Sequence, residues 1–298
     1  MNFEPLISII VPTYNRGHLI EKTLLSLLNQ SDTRYEIIVV DDGSTDNTED
    51  IIKPYLSDNV SYFKKENAER AAARNFGTQK ARGLYVNWFD SDDLALDNHV
   101  AAAISCIEAH DKPNWFHLNY NIINPFGEVI KNGNKIFDVN KGLRKGNIFS
   151  CNGVFVKKEI ALKNPFNEDR ALSASEDYEL WLRLLSQYPC ICINTITSSI
   201  VQHDERSVLM SDPQKLISRF EKFIHYTTSN EGIRNFLGNN YSYFVMKNYL
   251  ILAVDLAATK HVNLSIQYLR KSFSFSTRVI FERTFWASLY HIIKNSIL

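Results

Sequence analysis

The sequence predicts an α/β fold with a mostly parallel central sheet, flanking helices and a helical C-terminal extension. Three observations carry this. Short apolar, β-branched runs alternate with amphipathic stretches over residues 6–93. Each run stops at a polar cluster rich in Asp, Asn, Ser or Thr. From residue 212 onward the apolar spacing is helical to the end of the chain.

Residues 6–11 (LISIIV) are a continuous apolar run, the pattern of a strand buried on both faces, and Pro12 stops it. Asn15 is the expected cap of a helix over 17–29, with Leu19, Ile20, Leu24, Leu27 and Leu28 on one face. Residues 35–40 (YEIIVV) are a second strand, ending at Asp41-Asp42-Gly43-Ser44. A helix over 46–56, a strand over 60–64 and an Ala- and Arg-rich helix over 68–82 that stops at Gly83 follow. Residues 84–89 (LYVNWF) are the fourth strand, ending at Asp90-Ser91-Asp92-Asp93. This β-α-β-α-β-α-β order implies parallel pairing with right-handed crossovers. Such sheets bind ligands at the carboxyl ends of their strands, so Thr13-Tyr14-Asn15, Asp41-Asp42 and the 90–93 cluster are expected to converge.

The middle is less regular. Residues 115–121 and 128–131 read as a hairpin around 124–127, and 131–146 as a loop. Residues 153–156, 191–193 and 196–202 read as strands, and 175–187 as an amphipathic helix. The expected organisation is an α/β domain over 1–205, with halves at 1–95 and 96–205, then a helical region over 206–298.

The 33 basic and 33 acidic residues cancel, which argues against a nucleic-acid partner. The balance is uneven, however. Beyond residue 258, Lys260, Arg270, Lys271, Arg278, Arg283 and Lys294 face only Glu282, a net of +5 against −5 for the rest. The same segment is rich in Phe, Trp and Tyr. It fits either an anionic membrane surface or packing on the preceding domain or a dimer partner. Four cysteines are too few for a disulfide scaffold, and Cys190-x-Cys192 has the wrong spacing for a zinc or redox pair. The first residues carry no basic leader, and residues 243–258 are interrupted by Lys247, Asn248 and Asp255, so a cytoplasmic chain is expected, at most peripheral on the inner face of the membrane.

Several residue groups can carry chemistry. Asp90, Asp92 and Asp93 repel one another unless solvated or gathered around a cation; Mg²⁺ and Mn²⁺ favour such oxygen donors shared with phosphate. Asp42 could accept hydrogen bonds from a base or ribose once Ser44, Thr45 and Asp46 cap the next helix. Arg70 and Arg74, four apart on one helical face, suit a diphosphate or pair with Glu66 and Glu69. Glu176-Asp177 opens a helix, where a carboxylate is either a dipole partner or a candidate general base. His203 is a core histidine or the completion of a metal shell.

Five stretches in register resemble glycosyltransferases of family 2: residues 9–16 (IIVPTYNR), 39–46 (VVDDGSTD), 73–77 (ARNFG), 90–93 (DSDD) and 175–183 (SEDYELWLR). The resemblance covers roughly residues 5–205. It implies a GT-A fold, Mn²⁺ or Mg²⁺, a nucleoside-diphosphate sugar donor with a UDP-sugar the commonest, a glycan or lipid-linked acceptor, inversion at the anomeric carbon, and a place in cell-surface polysaccharide or glycoconjugate synthesis. By position, Pro12, Tyr14 and Asp42 would hold the nucleoside, Arg70 or Arg74 the diphosphate, and Asp90 and Asp92 form the DxD pair. Asp92 and His203 would meet the metal, and Asp177 matches the catalytic base. Residues 67–69 (NAE) depart from a pattern that often has glycines there. Two rivals remain: a catalytically inactive nucleotide-sugar or glycan-binding module, against which Asp92 and Asp177 stand, and an Asp-based phosphatase. The latter usually has Thr or Val two residues past its second Asp, where this chain has Leu94.

Overall fold

A computed structural model describes residues 4–203 and 212–296. The strands are β1 (Ile7–Thr13), β2 (Tyr35–Asp41), β3 (Val60–Lys64), β4 (Tyr85–Trp88), β5 (Leu94–Ala95), β6 (Trp115–Ile123), β7 (Val129–Asn132), β8 (Val154–Lys157) and β9 (Ile191–Val201). The α-helices are α1 (Gly17–Leu28), α2 (Thr48–Ile52), α3 (Glu69–Lys80), α4 (His99–Ala109), α5 (Val139–Leu143), α6 (Lys158–Lys163), α7 (Glu176–Leu185), α8 (Pro213–Ser229), α9 (Glu231–Leu237), α10 (Tyr241–Ala258), α11 (Val262–Phe273) and α12 (Arg283–Ser296).

By contact the chain forms two units. The first comprises Met1–Val139, Ile148–Arg170 and Tyr188–Arg206; the second comprises Asn140–Asn147, Ala171–Gln187 and Ser207–Leu298. The boundary expected between 205 and 206 lies outside the described residues. Unlike the expected division, α7 and residues 140–147 group with the C-terminal helices. The reason is aromatic packing: Tyr178 of α7 stacks on Phe223 of α8 at 5.0 Å, and Phe244 of α10 closes on both.

In the first unit all the described strands join one sheet, ordered β3-β2-β1-β4-β8-β6-β9-β5, with β7 on β6. β3, β2, β1 and β4 are mutually parallel, as the β-α alternation predicts. Beyond β4 the order becomes mixed. β8 runs antiparallel to both β4 and β6, and β6 is parallel to β9. β1 and β2 are buried along their whole length, which explains their largely apolar runs, and the two polar exceptions within those runs pair with each other, Ser8 Oγ donating to Glu36 Oε1. Gly77 of α3 lies where a Cβ would overlap Ile10 Cγ2, so glycine lets this helix approach β1 closely.

Three local expectations are revised. Residues 191–201 form one strand, β9, whose pairing with β6 shifts register around Asn119, rather than two. Residues 131–146 contain β7 and α5, with Tyr178 Oη donating to Leu143 O and Arg144 donating to Phe236 O. Asn15 does not cap α1. Its φ is +51°, and Asp46 instead accepts from Gly17 N at 3.1 Å.

In the second unit α10 is buried on nearly every side, flanked by α8, α11 and α12. That enclosure explains why it is apolar all round. No described helix is long and apolar enough to cross a membrane.

Candidate active site

The carboxyl ends of β1 and β2 are stitched together by local hydrogen bonds. Asp42 N donates to Thr13 O, Asn15 N to Ser44 Oγ, and Thr45 N to Asn15 Oδ1, all at 2.8 Å. Pro12 is buried in β1, while the Tyr14 side chain is 47% exposed. Asp42 is buried but occupied: Oδ1 accepts from Lys65 Nζ at 2.6 Å and from Ala68 N at 3.0 Å. The expectation of a free Asp42 therefore needs amendment. β3 runs beside β2 and ends one residue before Lys65, which delivers the ammonium to the carboxylate. Asp41 is structural, accepting from Ser44 N and Tyr62 Oη.

The acidic loop after β4 divides its carboxylates among three tasks. Asp90 Oδ1 accepts from Arg74 at 2.7 Å. Arg74 is itself buried, with its guanidinium carbon 5.1 Å from the Phe166 ring centre. The buried Asp93 anchors the loop, with Oδ2 accepting from Asn152 Nδ2 at 2.7 Å and Oδ1 from Val201 N at 2.8 Å. Burial, then the charges of Asp92 and Asp90, push its carboxyl well above the usual range. Asp92 faces outward, its Oδ2 3.1 Å from His203 Nε2, with the two side chains 21% and 14% exposed.

This arrangement follows from strand register. Asp93 grips the last residue of β9, and His203 lies two residues further on, so the grip sets where the imidazole meets Asp92. Fully buried Asn152 completes the frame by accepting from Asp90 N at 2.9 Å while donating to Asp93. Thr23 of α1 places its hydroxyl 2.8 Å from Asp93 O.

The first unit thus brings Asp90, Asp92, Arg74 and His203 to one loop cluster. Arg70 is half-buried on α3. Asp177 opens α7 in the second unit, its Oδ2 accepting from Asn147 Nδ2 at 2.9 Å and its Oδ1 from Tyr178 N at 2.7 Å. Asn152, Lys65 and Asn147, and the anchoring role of Asp93, escape sequence reasoning. Only Asp93 leaves a signal there, as a third acid where two make a DxD pair.

Among the described residues no cluster of three His, Cys, Asp or Glu side chains could hold a metal ion. Asp92 and His203 nevertheless fit a divalent cation that takes two protein donors and completes its shell with phosphate and water. The carboxylate and imidazole lie at hydrogen-bond distance from each other, and neither is sealed from solvent.

The description "Glycosyl transferase family 2" matches residues 8–147. An uncharacterized glycosyltransferase of Haemophilus influenzae is 35% identical over 188 residues, covering 61% of this chain and 73% of that protein. This chain belongs to glycosyl transferase family 2. It spans 40% of the length of the Rickettsia felis and Rickettsia conorii glycosyltransferases that it matches at 28% identity. Two solved structures share the GT-A fold. S. aureus TarS in complex with UDP-GlcNAc has a TM-score of 0.64 at 17% identity, over 97% of this chain and 88% of that one. The Pyrobaculum calidifontis mannosyltransferase PcManGT in complex with GDP-Man and Mn²⁺ has a TM-score of 0.60 at 18% identity, over 98% and 86%. The family match ends before α7, so it does not include Asp177.

Proposed function

We propose that this chain transfers a sugar from a nucleoside diphosphate, a UDP-sugar in the first instance, to a hydroxyl of a glycan or lipid-linked acceptor, with inversion, in cell-surface polysaccharide or glycoconjugate synthesis. The observation that carries the proposal is the Asp92–His203 pair beside an Asp90 tied to Arg74, with both carboxylates on a loop that Asp93 and Asn152 lock in place. The complex of the mannosyltransferase of the same fold with GDP-Man and Mn²⁺ supports the choice of cation.

In this reading Asp92 and His203 hold Mn²⁺ or Mg²⁺. Bound there, the ion would neutralise charge growing on the leaving diphosphate. Arg74 pairs with Asp90 and aims it, so the guanidinium acts through that carboxylate, and Arg70 is left as the candidate partner of the diphosphate. Tyr14 offers an exposed ring to the base. Asp42 keeps one oxygen, Oδ2, with fewer competitors than Oδ1. Asp177 takes the acceptor proton as the acceptor oxygen bonds to the anomeric carbon. The bond from that carbon to the diphosphate breaks, and its electron pair leaves with the nucleotide. The proton transfer is assigned to Asp177, whose carboxylate oxygens accept from Asn147 Nδ2 and Tyr178 N and are thereby held in position for a base.

The test is a thermal-shift screen of nucleoside diphosphates and their sugars with and without Mn²⁺, followed by NMR of the product. A ligand that binds only the folded chain raises its melting temperature. A cation-dependent shift with one nucleotide, and inverted anomeric configuration in the product, are expected. No shift with any nucleotide would overturn the reading.

A further inference from the structure

The second unit ends in a surface that the proposed reaction does not use. At 100° per residue, Arg283, Trp286, Tyr290, Ile293 and Lys294 of α12 fall within about 100° of one another. The opposite side buries Phe285 and Ser288. The helix therefore has two apolar faces, one packed and one open. On the open face Trp286 is 62% exposed, Tyr290 60% and Ile293 57%. The preceding 3₁₀ turn, Thr277–Phe281, extends the face with Ile280 and with Phe281, which is 82% exposed. Trp286 Nε1 donates to Ile280 O at 3.0 Å, which joins turn and helix into one surface.

The charge around this surface has one sign. Arg270, Arg278, Arg283 and Lys294 are exposed. The one acid of the segment, Glu282, is turned to Tyr243 Oη at 2.8 Å and Lys247. We infer that this face docks on an anionic lipid bilayer, with α12 lying in the plane of the headgroups. Trp and Tyr favour that depth because each has an apolar body and a polar tip. The flanking cations meet the negative surface potential. A second copy of the chain suits the face poorly: a two-fold contact would set Arg283 and Lys294 against their own equivalents, and juxtaposed like charges disfavour association. The span of α12, about 21 Å at 1.5 Å per residue, and its cationic edge fit a helix lying on the surface rather than crossing it.

The experiment is flotation of the full chain with phosphatidylcholine vesicles, with and without phosphatidylglycerol. Binding is expected only with the anionic lipid, weakening as salt rises. Arg283→Gln with Lys294→Gln should weaken it about 25-fold, at roughly fivefold per lost cation. Trp286→Ser with Ile293→Ser should weaken it at least about tenfold, since a single indole carries much of the apolar area. Both variants change exposed side chains, and their melting temperatures should match the unaltered chain. Absence of binding to the anionic vesicles, or binding by both variants equal to that of the unaltered chain, overturns the inference. A concentration-dependent dimer in sedimentation that Trp286→Ser dissociates would also overturn it, by assigning the face to a second copy.

Discussion

Asn152→Ala is the most direct test of how the acidic loop is held. Asn152 is fully buried and supports two neighbours at once, accepting from Asp90 N at 2.9 Å and donating to Asp93 Oδ2 at 2.7 Å. Alanine removes both partners and offers nothing in return. Each buried group left unsatisfied costs about 1–3 kcal/mol, and a carboxylate lies at the upper end. A loss of about 3–5 kcal/mol follows, a large share of the 5–15 kcal/mol typical of a domain. Asp93 would keep Val201 N as a partner, so the strand end should hold while the loop start loosens. Urea unfolding reads the stability term, with the midpoint falling at nearly constant slope. Calorimetry with UDP and Mn²⁺ reads the site term, and an affinity at least about tenfold weaker is expected, the equivalent of 1.4 kcal/mol. A midpoint shift worth under about 0.5 kcal/mol, the range of an ordinary surface change, together with unchanged affinity, would refute the claim that this network sets the loop.

The other expectations can be stated briefly. Asp92→Ala and His203→Ala should each erase the Mn²⁺-dependent part of UDP affinity; equal affinity of the unaltered chain with and without Mn²⁺ would sink the cation assignment. Asp177→Asn should lower transfer by about 10²–10⁴-fold while donor affinity stays within a few-fold, and wild-type nucleotide release would remove Asp177 from the mechanism. Buried His99 and His117 should make the fold acid-sensitive. Burial holds both near about 3 against 6.5 unfolded, so stability is full above pH 6.5 and drains away as pH falls, because the unfolded chain protonates first. At pH 5 the loss is about 2 kcal/mol for each ring, so His117→Gln should lessen the drop in urea stability between pH 7.5 and 5 by that amount, and an unchanged drop would mean that the ring is already charged or solvated in the fold.

The parallel half of the fold was legible because its signals are local. Residues 6–11, 35–40 and 84–89 are apolar apart from Ser8, Glu36 and Asn87 because the strands they form are buried on both faces. The DxD carboxylates were legible for the opposite reason, since acids crowded at a strand end need an explanation. What escaped the sequence depends on contacts between distant positions. Nothing near Asn152 announces that it will meet Asp93 across 59 residues, and nothing near Lys65 announces Asp42. The reversal of β8 escaped for a similar reason: a short apolar run carries no direction, and pairing with β4 and β6 decides it. α7 reads correctly as a helix, yet its grouping with α8 and α10 rests on Tyr178 meeting Phe223 and Phe244, and periodicity cannot predict those partners.

The two ends of the site in the first unit are built by different means that serve one purpose. At β1 and β2, backbone amides and short side chains form the frame, and Asp42 is held in place by Lys65 and the Ala68 amide. At β4, a buried carboxylate and a buried amide side chain form it, leaving Asp92 outward. In both places the residue assigned to a ligand is positioned by neighbours that the ligand need not touch. A site ordered beforehand loses less conformational freedom on binding, so more of the interaction energy appears as affinity. The consequence is a division of sensitivity: substitutions at Asp93, Asn152 or Ser44 should act on folding and affinity together, while substitutions at Tyr14 or Arg70, which stand at the surface of this frame, should act on affinity with the fold intact.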